Sequence, residues 1–70
     1  MTTTPKVNKA LRAAGLNVQI VRNLAGGSYY YFIGDGFDVV PSIYVYSLEA
    51  AGYTAEDIVE HVREALARDR

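Results

Sequence analysis

The hydrophobic period changes at Gly15, and that change constrains the fold more than any other feature of the chain. Before it, Val7, Ala10, Leu11 and Ala14 recur at the spacing of one helix face. After it, Leu16, Val18 and Ile20 alternate with Asn17 and Gln19, the period of a half-buried strand. Thr4 and Pro5 read as the helix start, because threonine caps and proline loses nothing at the first helical position. Glycine at position 15 suits a left-handed C-cap, with Leu16 packing back. The first helix is therefore expected over residues 5–14.

Ala25-Gly26-Gly27-Ser28 reads as a hairpin turn. Tyr29 to Ile33 is aromatic or β-branched throughout and reads as a second strand, ended by Gly34-Asp35-Gly36. Tyr30 and Phe32 are assigned inward, which leaves Tyr29 and Tyr31 outward. Pro41 argues against a central strand just before it. Ser42 to Ser47 reads as a third strand, with Ile43 and Val45 facing the helices and Tyr44 and Tyr46 facing out. Residues 49–52 add a short turn. Thr54, Ala55, Glu56 and Asp57 resemble a capping box, with aspartate where Glu or Gln is usual, and Tyr53 and Ile58 hold the staple positions. Ile58, Val62, Ala65 and Leu66 then form the apolar face of a second helix, widened by Val59, and Glu64 and Arg68 form an i,i+4 pair. The expected architecture is α+β, a two-layer single domain over residues 1–70. A three-stranded antiparallel sheet is packed by two helices in the order α-β-β-β-α, with a few loose residues at each end.

Composition narrows the chemistry. The 70 residues include no cysteine, so there is no disulfide, thiolate zinc site or cysteine nucleophile. A core this small supplies only ~3–5 kcal/mol, so packing must be efficient or a partner surface must help. No stretch approaches the ~18 apolar residues of a membrane span. Met1 to Lys6 lacks the hydrophobic block of a signal peptide, so a cytoplasmic protein away from membranes is expected. The one histidine, His61, is read as a solvated or half-buried helical residue, because Ser28, Ser42 and Ser47 lack a nucleophile-elbow context. His61 and Glu64 have half-site spacing for a di-iron centre, but the first helix offers no facing carboxylates. Asp35 and Asp38 are read as turn formers, too few for a calcium loop. No enzyme activity, metal or cofactor is expected.

Val7 to Val18, Tyr29-Tyr30-Tyr31-Phe32-Ile33-Gly34 and Ser42-Ile43-Tyr44-Val45-Tyr46-Ser47-Leu48 together resemble small accessory proteins encoded by phages and prophages. The shared features are a helix ending in an Ala-Ala-Gly-like cap, an aromatic strand ending in glycine, and a Ser-Val-Tyr-Val-Tyr-like strand. The chain departs from that pattern near Phe37, where a tryptophan is expected, and in its longer last helix. The resemblance implies a phage origin and, at the level of class, a protein that binds and blocks a host protein in the host cytoplasm. Anti-defence inhibitors, including those of CRISPR complexes, are examples of that class.

Six tyrosines are the compositional excess. Tyr29, Tyr31, Tyr44 and Tyr46 form the expected patch, since exposed tyrosine brings large area and a polar tip to interfaces. Such a row also suits stacking of unpaired bases, but phosphate binding needs cations, and Arg22 is the only basic residue between positions 13 and 62. A protein partner is therefore preferred over single-stranded nucleic acid. Pairing with a second copy through the sheet face or the third-strand edge is a variant of the same idea, and a structural virion component is a third class. Glu56, Glu60 and Glu64, spaced by four, form an acidic stripe that offers a second contact for a basic partner.

Overall fold

The computed structural model of the chain describes residues 1–24, 28–35 and 37–68. The expected hairpin turn at 25–28 falls mostly outside them. Helix α1 (Thr4–Ala13) is followed by β1 (Val18–Asn23), β2 (Tyr29–Gly34), a 3-10 turn (Phe37–Val39) and helix α2 (Ala55–Arg68).

Local sequence chemistry sets the helix ends. The α1 cap is Thr3, not Thr4: its hydroxyl accepts from the Lys6 amide at 3.4 Å, which moves the start back one residue. At the other end Gly15 adopts φ +77. The Gly15 amide then reaches Arg12 O and the Leu16 amide reaches Leu11 O, both at 3.0 Å, closing a Schellman motif. Helix α2 opens with the reciprocal capping box. The Asp57 amide donates to Thr54 Oγ1 at 3.1 Å, and the Thr54 amide donates to Asp57 Oδ2 at 2.9 Å. Residues 47–52 form the hydrogen-bonded turn ahead of it, with Ala51 N to Ser47 O at 3.0 Å. At the amino terminus Thr2 Oγ1 donates to Tyr53 O at 2.7 Å, joining the start of the chain to the turn ahead of α2.

Strands β1 and β2 pair antiparallel in a register that sets Ile20 opposite Phe32, Val21 opposite Tyr31 and Asn23 opposite Tyr29. Ile20, Tyr30 and Phe32 are buried against Val7 and Leu11 of α1 and Ile58, Val62 and Ala65 of α2, so the inward assignment of Tyr30 and Phe32 holds. Val40, Ile43 and Leu48 complete this core from the connecting segments. Both helices lie on the inner face of the sheet.

The expected third strand is reduced to one bridge. Ile43 and Tyr30 exchange both backbone hydrogen bonds at 2.8 Å, and the sheet otherwise has two strands. The register explains why pairing stops. Two residues along, Phe32 would face Pro41, which has no N–H to give. The Pro41 carbonyl is turned to His61 Nε2 at 2.9 Å. In the other direction the chain bends at Tyr46, whose carbonyl accepts from Arg22 Nη2 at 2.8 Å. Side chains hold this segment where a ladder does not.

The outer edge of β1 is closed by a side chain as well. Asn8 Oδ1 accepts from the Ile20 amide at 2.8 Å, and Asn8 Nδ2 donates to Ile20 O at 3.3 Å, so one amide of α1 replaces a neighbouring strand. At the open end of the hairpin Asn17 Nδ2 donates to Asp35 Oδ2 at 2.8 Å, and the Asp35 amide reaches Asn17 O at 3.0 Å. Gly34 sits beneath this clasp at φ +126, where a Cβ would run into Asn17 O. Gly34→Ala is expected to cost at least about 2 kcal/mol in urea unfolding, from backbone strain plus the clash. Asn8→Ala is expected to cost about 1–3 kcal/mol and to speed hydrogen exchange at the Ile20 amide, since it strips a partly buried pair of its partner.

Candidate functional site

The outer face of the sheet is built by parity. Side chains alternate along a strand, so residues between the buried positions point away from the helices. On β1 these are Gln19, Val21 and Asn23; on β2 they are Tyr29, Tyr31 and Ile33. Tyr44 joins them from beyond the bridge. The Tyr29 ring lies 6.0 Å from Tyr31 and 5.4 Å from Tyr44, tilted by 49° and 32°. Asn23 Nδ2 donates to the Tyr29 hydroxyl at 2.7 Å, orienting the middle ring. Tyr44 is 77 % exposed and Ile33 42 %, and no element among the described residues covers this face. None of these seven residues is Asp, Glu, Lys or Arg.

Tyr46 is not part of this cluster. Arg22 shares the inner-facing parity of Ile20, and its guanidinium lies 5.1 Å from the Tyr46 ring centroid and 5.9 Å from that of Tyr30. The same guanidinium donates to Tyr46 O. The bend at Tyr46 therefore takes its ring away from Tyr29, Tyr31 and Tyr44 and makes it one side of a cation–π clamp. Strand alternation alone placed it with the others, because the bend depends on an arginine 24 residues earlier.

The acidic stripe lies on the other layer. Glu56, Glu60 and Glu64 are exposed on α2, whose opposite side packs into the core, so the stripe and the tyrosine cluster do not form one surface. Glu56 and Glu60 border an open groove of about 380 Å³ between the helices, floored by Ala10, Ala13, Ala14 and Val59 and flanked by Arg63. Glu64 does not form the expected ion pair with Arg68. Arg68 Nε instead donates to the Glu64 backbone carbonyl at 3.4 Å, where it caps the last turn of the helix.

His61 is engaged structurally. A carbonyl only accepts, so Nε2 carries the proton that it donates to Pro41 O, and the ring packs 5.6 Å from Phe32. Ser47 Oγ accepts from the Ala50 amide at 3.4 Å as part of its turn. Among the described residues no group of three His, Asp or Glu side chains is arranged to hold a metal ion, and no helix is long and apolar enough to cross a membrane. No protein-family model, curated protein or solved structure matches this chain.

Arg22→Ala removes a bond to Tyr46 O and a ring contact on each side. It is expected to speed hydrogen exchange of the Ile43 amide selectively, leave the Leu16 and Ile58 amides unchanged, and cost about 1–2 kcal/mol of stability.

Proposed function

We propose that the protein is a non-enzymatic binding module that engages a protein partner through the outer sheet face centred on Tyr29, Tyr31 and Tyr44. Following the phage-protein resemblance, the partner is a host protein, and the module acts by occupying its surface, as an anti-defence inhibitor does. One observation carries the reading: the Tyr29 ring packs against both Tyr31 and Tyr44 on the outer sheet face, where none of the neighbouring strand residues is charged. Clustered tyrosines are typical interface anchors, because their area is large and their side chains are already restrained. Here Asn23 and the neighbouring rings restrain them further, which lowers the entropy lost on binding. Nucleic acid fits this face poorly. Phosphate contacts need cations, and the one cation on the two strands, Arg22, has inner-facing parity and is committed to Tyr46. The acidic stripe on α2 is available to a second, basic contact on the opposite layer.

The test is capture of a partner from host lysate by the native chain, compared with Tyr44→Ala, Tyr31→Ala/Tyr44→Ala and Tyr46→Ala. Tyr44 is exposed, so its truncation is expected to change stability by less than about 0.5 kcal/mol. Loss of a dissociable partner in the Tyr44 variants, with retention in Tyr46→Ala, supports the reading. Capture that is equal in all variants overturns the site. Binding of labelled single-stranded DNA or RNA that fades steeply with salt overturns the partner class.

A further inference from the structure

The two edges of the sheet are finished differently. At β1, the Asn8 amide covers both backbone groups of Ile20. At the opposite edge, Ile43 directs its own N–H and C=O to Tyr30, so those of its neighbours Ser42 and Tyr44 turn outward. Among the described residues, no hydrogen bond reaches the backbone of Ser42 or Tyr44. The segment from Ser42 to Leu48 holds no charge, no proline and no glycine, and is mostly β-branched or aromatic. No charged side chain on the segment repels a second strand, and what limits pairing is its short length between Pro41 and the bend at Tyr46.

We propose that this edge pairs with a second copy of the chain, antiparallel about a two-fold axis normal to the sheet. Ser42 of one copy then lies opposite Tyr44 of the other, and each pair exchanges backbone hydrogen bonds. The register sets a small side chain beside a bulky one. Growth stops at two copies. Pro41 ends the pairing on one side and the bend at Tyr46 ends it on the other, while Asn8 blocks the far edge of each sheet from adding a further strand. The contact is thus isologous and closed. Because the axis is normal to the sheet, both outer faces point the same way, and the two tyrosine clusters merge into one larger uncharged surface instead of covering each other. A domain this short also gains from association, since its single core is small.

The test is the mass in solution by light scattering or sedimentation, from micromolar to near-millimolar protein, together with hydrogen exchange of the Ser42 and Tyr44 amides. The native chain is expected to move from monomer to dimer, with both amides protected at high concentration and released on dilution. Tyr44→Pro removes an outward-facing N–H and leaves the Ile43–Tyr30 bonds in place, so it is expected to stay monomeric. Tyr44→Lys keeps the backbone donor and sets like charges near the axis. It is expected to weaken the dimer tenfold or more, and it serves as the probe if the proline variant does not fold. A native chain that stays monomeric throughout overturns the inference, as does open-ended growth, or dimerisation that a folded Tyr44→Pro and Tyr44→Lys leave unchanged. A monomeric native chain that still captures a partner through Tyr44 would sink this inference and leave the proposed function standing.

Discussion

The Asn8 amide stands in for a strand. A two-stranded ribbon is at best marginal in water, and its outer edges expose backbone groups that must find partners. By taking both polar groups of Ile20, Asn8 closes one edge and locks α1 to β1 in a single register. That register sets which residues of β1 enter the core. Ile20 and Phe32 then face each other across the ribbon under the helices, and every residue between the buried ones is turned to the outer face.

The other edge depends on what proline lacks. Pro41 falls where the next ladder partner of Phe32 would be, so pairing beyond Ile43 has no donor to use. Two side chains compensate from opposite layers. His61 reaches in from α2 to the Pro41 carbonyl, and Arg22 reaches across from β1 to the Tyr46 carbonyl. The segment between them stays beside β2 with a single bridge, its far side open. One consequence is an aromatic face gathered around Tyr29. Another is a bare edge next to it. Both surfaces lack charge, which is why each is proposed to meet a protein rather than a polyanion.

Much of the molecule was legible in the sequence where the controlling interactions are local. The Thr54–Asp57 capping box, the left-handed Gly15 and the inward set of β2 each depend on residues a few positions apart. The helix start was misplaced by one, since Thr3 and Thr4 are both competent caps and only the chain's path decides between them. The third strand and the grouping of Tyr46 with the other tyrosines failed for a different reason. Alternation of side chains correctly turned Tyr44 outward but says nothing about a bend stabilised by an arginine on another strand. The Glu64–Arg68 pair failed because helical spacing permits a contact without choosing between a carboxylate and a backbone carbonyl.

By itself the sequence determined the two helices and the first two strands, the ends of α1 and the start of α2 to within a residue, the buried faces, and the supply of tyrosine with few cations around it. These are properties of period, capping chemistry and composition, and they act over a few residues. Only the tertiary structure decided that three tyrosines meet and the fourth leaves, that the sheet has two strands and a bridge, and that one edge is closed while the other is bare. Each of those outcomes turns on a contact between residues more than ten positions apart, Asn8 with Ile20, Arg22 with Tyr46 and Pro41 with His61. Such contacts exist only once the layers have packed.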